Sequence, residues 1–231
     1  MNTKSSERAV ESAVLQIRQW ILDGQFATGE KIPEVPTAER LGMSRTPVRT
    51  ALQHLASEGL LETSPRRGFR VTSPALTDLE GAIEIRGVLE GLAARKLAEQ
   101  GASDTTLKRM IDAVEEGFRL FQDGQIDQER ILKFKSLNQS FHLALIEGAN
   151  SPALRQVYQQ ATQLPMGSPS AVGFDSEHPE REFRRFLRAQ EHHQAIVEAI
   201  QRRQGARAQA LMIEHAQISL AYLSEGTPNK A

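Results

Sequence analysis

The stretch GMSRTPVRTALQHLASEGLLE, residues 42–62, restricts the first part of the chain to very few folds. Gly42 suits the left-handed backbone that ends a helix, and Ser44 is a residue type that caps the free N–H groups of the next one. Val48, Ala51, Leu52 and Leu55 then recur at helical spacing, so a helix from Ser44 to Glu58 buries one stripe, and Gly59 stops it. Arg45 and Arg49 stand one turn apart at its start, in a chain whose formal net charge is only −1.

The flanking segments complete the unit. Val14, Ile17, Ile21 and Leu22 share one face of a helix over Val10–Leu22 that ends at Gly24; TGEKIP reads as a loop, and Glu34–Leu41 as a short helix with Pro36 tolerated in its first turn. Beyond Gly59, LLETS and GFRVTS are short β-forming runs separated by Pro-Arg-Arg-Gly, the pattern of a hairpin. Three helices and a hairpin make a winged helix-turn-helix over residues 1–74. After Pro74 the periodicity is helical to the end. Thr77-x-x-Glu80 has the form of a capping box, and Ile85, Val88, Leu89, Leu92 and Leu97 form an apolar face. Similar periods recur over 104–122, 129–147, 151–164, 181–203 and 205–223, so residues 75–231 are expected to form an antiparallel bundle of about six helices in a mainly α protein. The insert 165–180, rich in Pro, Gly and Ser, reads as a mobile loop.

Composition narrows the chemistry. The chain has no cysteine, which removes disulfides and thiolate metal sites and suits a reducing cytoplasm. No apolar run reaches the length of a membrane span. Charge is uneven: Arg40, Arg45, Arg49, Arg66, Arg67 and Arg70 fall in a stretch whose acids are Glu58 and Glu62. Clustered arginines at a helix start, where the dipole and unpaired N–H groups favour phosphate, fit a surface that meets double-stranded DNA. Taken singly, Arg45 and Arg49 read as a solvated helix face and Ser44 as a plain cap; the order of the elements around them favours DNA.

The run Glu34-x-x-x-Ala38-x-x-Leu41-Gly42-Met43-Ser44-Arg45-Thr46-Pro47-Val48-Arg49-x-Ala51-Leu52, followed by Leu55-x-x-Glu58-Gly59-Leu60 and Gly68-x-x-Val71, resembles the GntR family of bacterial transcription regulators over residues 10–73. The resemblance implies a homodimer on an inverted-repeat operator, with Arg45 and Arg49 reading guanines and Ser44, Thr46 and the wing at Gly68 holding the backbone. Pro47 belongs to the same edge, and Arg66 and Arg67 to the wing. Val35 stands where some members carry an arginine that touches DNA, and Pro36-Thr37 replaces a more usual helical pair.

Six histidines offer a second chemistry, at positions 54, 142, 178, 192, 193 and 215. Asn138 and His142 share a helix face at i, i+4, while His193 and His215 lie among the apolar residues of two later helices. Read from spacing, such histidines are either hydrogen-bonded core residues or ligands of a divalent transition metal. The helical segment is similar to the FCD effector domain of the FadR subfamily in its shorter, VanR-like form, over about residues 78–223. Its matching stretches are Ile85-Arg86-x-x-Leu89-Glu90, Asn138-x-x-Phe141-His142-x-x-Leu145, His193-x-Ala195-Ile196 and Met212-x-x-His215. That resemblance implies a metal on Asn138, His142, His193 and His215, zinc foremost with nickel or manganese as alternatives. It also implies a small carboxylate effector, with Arg86 as a second anion contact or else in a helix-surface pair with Glu90. Asn138 replaces the commoner aspartate, which leaves a bound ion its full +2 charge. The expected function is a ligand-responsive regulator, a repressor by family habit, with no catalytic residue; a metal-dependent hydrolase fused to a DNA-binding module is the alternative.

Overall fold

Gly42 and Gly59 close two successive helices in the same way, and this repeated device builds the N-terminal half. The computed structural model describes residues 3–22, 24–64, 68–72, 76–164, 166–169, 171, 174–175 and 178–226. Helix α1 spans Thr3–Leu22, α2 Glu34–Leu41 and α3 Arg45–Ser57. Gly42 adopts φ 63° and Gly59 φ 74°. Behind them Met43 N–H donates to Ala38 O and Leu60 N–H to Leu55 O, both at 3.0 Å. These bonds satisfy the last carbonyls of each helix and return the chain toward the core. The stripe on α3 is buried as expected: Val48, Ala51, Leu52 and Leu55 are wholly enclosed with Ala13, Val14 and Ile17 of α1.

Strands β2 (Leu61–Ser64) and β3 (Gly68–Val71) form the expected hairpin. A third strand, β1 (Lys31–Ile32), was expected to be loop and adds to the free edge of β3, giving an antiparallel sheet of order β1-β3-β2. Two residues carry no readable alternation; tertiary pairing makes this strand, through Gly29 N–H to Val71 O and Val71 N–H to Glu30 O, each at 2.9 Å.

The C-terminal half consists of α4 (Leu76–Gln100), α5 (Asp104–Leu120), α6 (Gln128–Gly148), α7 (Pro152–Ala161), α8 (Pro179–Gln201) and α9 (Gly205–Gly226). Helix α4 already includes Leu76, so Thr77 lies inside it and not at its cap. The face of α4 also differs from the reading by large side chains. Ile85 and Val88 are 48% and 55% exposed, while Ala82, Ile83, Arg86, Glu90, Ala93, Ala94 and Ala98 are buried. The reason is close helix contact: a Cβ at Gly87 would stand 2.8 Å from Ala216 Cβ, and one at Gly91 3.1 Å from Gln209 O. Small residues let α4 lie directly on α9, and hydropathy counts miss small residues.

The two halves meet along α1. One face of this helix packs in the winged-helix core, while Leu15 joins Phe121, Ile131, Phe134 and Phe186 of the bundle. Arg18, 1% exposed, is ion-paired with Glu58 at the end of α3, and Gln128 on α6 donates to Ser12 Oγ at 2.6 Å. Burial first, and then the nearby Arg18 guanidinium, pushes the Lys135 ammonium of α6 down to about 7. The insert after α7 departs from its expected character: Met166 and Ala171 are buried with Leu79, Ile83 and Ala216. Its turn-forming composition is realised as local bonds, Gly167 N–H to Leu164 O and Ala171 N–H to Ser168 O, beneath which apolar side chains pack inward.

Candidate metal centre and nucleic-acid interface

The edge of α3 is presented to solvent. Ser44 occupies the N-cap position with extended backbone (φ −70°, ψ 160°), but its hydroxyl makes no capping bond. Arg45 and Arg49 have side chains 67% and 65% exposed, and each guanidinium stands 3.8 Å from a different oxygen of Glu34, the first residue of α2. Thr46 is exposed, whereas Pro47, expected on the same edge, is buried against the core, where its ring fixes the first turn of α3. Gly68 is exposed at φ 73°, a conformation that suits glycine at a wing tip. Arg66 and Arg67 lie outside the described residues. Two other members of the arginine cluster have structural partners: Arg40 lies 3.7 Å over the Trp20 ring, and Arg70 donates to Gly29 O at 2.7 Å. Glu34 opens the run on which the family resemblance rests, but nothing in the sequence signals that it stands beside both Arg45 and Arg49.

Three helices bring the histidines together. Potential ligand atoms of His142 (α6), His193 (α8) and His215 (α9) lie within 4.8 Å of one another, and all three residues are buried. His192, also on α8, is only half-buried and does not belong to the group, while His54 is exposed on α3 and His178 pairs with Asp175 at 2.7 Å.

Supporting contacts fix which ring atoms face inward. Gln190 Nε2 donates to Val114 O at 2.9 Å, which leaves Gln190 Oε1 as the acceptor 2.8 Å from His193 Nδ1. His193 therefore carries its proton on Nδ1, and its Nε2 lone pair faces His215 Nε2 at 3.2 Å. Gln190 reaches the α5 backbone because residue 117 is glycine; a Cβ there would overlap the Gln190 amide. His142 Nδ1 stands 2.8 Å from Glu90 Oε1, so its Nε2 is the atom left for the site. Asn138 Nδ2 donates to Pro169 O at 2.8 Å, which turns Oδ1 to the other side as the remaining acceptor.

Burial sets the charge states. Desolvation, with neighbouring imidazoles adding to it, holds His193 and His215 well below the ordinary histidine value, so both are neutral bases near pH 7. Burial pushes the Glu90 carboxyl up, but His142, Arg86 and the Tyr158 hydroxyl outweigh it and hold it below the usual range. Tyr158 donates to Glu90 Oε1 at 2.9 Å, and burial with the Glu90 charge pushes its own ionisation up. Arg86 lies within 3.8 Å of Glu90 with both side chains enclosed, so the helix-surface pair considered from sequence is instead a buried one. Arg86, Asn138, His142 and His215 line one cavity of about 30 Å³, room for little more than a single water-sized particle. The residue types and their orphaned atoms suit a metal: two Nε2 atoms face each other at 3.2 Å, and His215 Nδ1 is buried without a hydrogen-bond partner. Glu90, Gln190 and Gly117 went unremarked as supports of the cluster in sequence, since each acts only through a neighbour on another helix.

Comparison with known proteins agrees with this arrangement. The FCD domain matches residues 82–217, and the bacterial regulatory proteins of the gntR family match residues 9–71. The chain is 32% identical over 149 residues to the "Uncharacterized HTH-type transcriptional regulator YdhC" of Bacillus subtilis, covering 64% of each chain. It is 30% identical over 159 residues to the "Probable D-xylose utilization operon transcriptional repressor" of Paenarthrobacter nicotinovorans, covering 67% of each. The fold is similar to that of "E. coli McbR/YncC" with a TM-score of 0.60 at 24% identity, over 94% of this chain and 97% of that one. These relatives are regulators and not enzymes, and no helix among the described residues is long and apolar enough to cross a membrane. With both halves matched in chain order, the protein belongs to the gntR family of bacterial regulatory proteins and carries an FCD domain.

Proposed function

We propose that the protein is a DNA-binding transcriptional repressor whose hold on its operator is set by a metal-containing, carboxylate-responsive helical domain. The observation that carries this reading is the placement of His142, His193 and His215 within 4.8 Å in the bundle interior, beside a pocket that His142 and His215 line together with Phe134 and Phe186, side chains of the same apolar cluster as Leu15 of α1. A shift of that wall moves α1, and α1 carries α3 through their shared core and through the Arg18–Glu58 pair.

Asn138, His142, His193 and His215 are the residues that would hold the ion. All four donors are neutral, so a bound divalent ion keeps its full charge and supplies an anchor for an anion. Gln190 and Glu90 orient two of the rings, and the Asn138 amide is tied to Pro169 in the insert that covers the site. On DNA, Ser44, Arg45, Thr46 and Arg49 form the reading edge, and the wing at Gly68, which Arg66 and Arg67 precede in sequence, flanks it. A homodimer on an inverted repeat suits the exposed Ile85 and Val88 on α4, apolar side chains that a monomer leaves in water. The hydrolase alternative has no support from the family.

The test combines metal analysis with operator binding. Purified protein is expected to carry close to one divalent ion per chain, and chelation should change affinity for upstream intergenic DNA. Arg45→Ala and Arg49→Ala should each weaken operator binding by about 1–3 kcal/mol while leaving the melting temperature in place. Metal-free protein, or operator binding indifferent to both substitutions, sinks the corresponding half of the reading.

A further inference from the structure

The histidine pocket, at about 30 Å³, is far smaller than an organic acid, yet a cavity of about 560 Å³ opens beside it between α8 and α9. The two share Arg185 and Ile218. One wall of the larger cavity is Arg181, Arg184, Arg185 and Arg188, whose spacing sets them in one stripe along α8. The other is Ile218, Ala221 and Tyr222 of α9. Arg181 is paired with Asp175 at 2.7 Å and Arg185 with Glu182, so the positive charge that this wall presents to a ligand comes mainly from Arg184 and Arg188 beside Arg185, with Glu214 as the acid on the facing wall. Arg185 is positioned: it pairs with Glu182 at 2.5 Å, and its guanidinium lies 4.3 Å over Phe186 and 4.2 Å over Tyr222. Arg184 and Arg188 are exposed at the rim.

We propose that this α8–α9 cavity binds an organic anion with an apolar body, its carboxylate held by Arg184, Arg185 and Arg188 and its body against Ile218, Ala221 and Tyr222. A volume of several hundred cubic ångströms with one apolar wall and a few convergent charges is what small-ligand sites require, and guanidinium forks match carboxylate geometry. The inference rests on the sensor reading for its consequence at the operator, and on the cavity alone for the binding itself. Arg185 is the connecting side chain, because an anion drawn to it acts on a residue that also lines the histidine pocket. Its neighbour Phe186 packs with Leu15 of α1.

The experiment is calorimetric titration of the full chain with benzoate, phthalate and citrate, and with benzyl alcohol as the neutral control, in the presence of zinc and again after chelation. Phthalate and benzoate should bind, citrate more weakly for want of an apolar body, and benzyl alcohol not at all. The double variant Arg184→Ala/Arg188→Ala, whose changes are exposed and outside the metal cluster, should lose about tenfold or more in anion affinity with zinc content unchanged. The double lysine variant should recover part of that loss. Anion affinity that ignores the arginine variants but vanishes on chelation overturns the cavity assignment and leaves the metal-docking reading standing. Absence of binding by every anion overturns the cavity too. Binding that follows the arginines while operator affinity stays constant confirms the cavity and sinks the sensor reading.

Discussion

Two sets of arginine–carboxylate pairs have the same separation and opposite surroundings. Arg45 and Arg49 stand 3.8 Å from Glu34 with about two thirds of each arginine side chain in water; Arg86 stands 3.8 Å from Glu90 with both partners enclosed. On α3 water screens the charges, so each pair contributes only about 0.2–1 kcal/mol and yields readily to a competing anion. In the bundle Arg86 cannot leave Glu90 without losing its counter-charge in an enclosed site, while Glu90 is held besides by His142 and the Tyr158 hydroxyl. Distance alone says nothing of strength here; solvent decides whether a pair is a reserve of free donors or a fixed strut.

The sharpest way to break that contrast is to remove one charge from the enclosed pair. Glu90→Gln should lower the unfolding free energy of the metal-free protein by roughly 3–5 kcal/mol, because Arg86 is left buried without its counter-charge. The denaturant midpoint reads this directly. A loss below about 1 kcal/mol would show that water reaches Arg86 and that the bundle pair is no different in kind from the one on α3.

Acid attacks the same region next. His193 and His215 are held well below their ordinary value, so as pH falls through about 6.5 the unfolded chain takes up protons that the folded chain refuses. Stability of the metal-free protein is therefore complete above that pH and declines below it, by up to about 1.4 kcal/mol per pH unit for each group. Glu90, held below the usual carboxylate range, adds to the loss below about 4.5, in the same direction. A flat denaturation midpoint between pH 7.5 and 5.5 would mean that the two rings charge freely where they sit.

A smaller effect separates ligands from their supports. Gln190→Ala removes the acceptor that fixes the proton of His193 on Nδ1, and zinc affinity should fall about 10–100-fold in competition with a chromophoric chelator. Unchanged affinity would assign Gln190 to packing alone.

The same contrast explains what the sequence disclosed. At the winged helix the local structure is written in neighbouring residues: Gly42 makes the turn and Ser44 takes the expected N-cap position with Arg45 and Arg49 exposed beside it, although the Ser44 hydroxyl makes no capping bond and Pro47 is buried. The histidine cluster was legible only through resemblance, because spacing along the chain does not reveal that α6, α8 and α9 converge. Its supports were less legible still. Gln190 acts through the room left by Gly117 on α5, and Glu90 through a face of α4 hidden by its small residues, since Gly87 and Gly91 carry little hydropathy yet bring α9 into contact. β1 escaped notice for a related reason: it is a strand because β3 pairs with it, and nothing in Lys31–Ile32 alone says so.

The smallest expected effect tests the open side of the comparison. Glu34→Gln removes the carboxylate that both reading arginines face, and stability should change by no more than about 0.5 kcal/mol, as for other exposed substitutions. Operator affinity should rise about two- to fivefold at low salt, because the arginines no longer exchange a partner when they meet DNA and a negative charge leaves the interface. The gain should shrink as salt screens it. A fall in affinity would invert the argument: Glu34 would then be holding Arg45 and Arg49 in the reading posture, and the exposed pair would do for recognition what the buried pair does for the bundle.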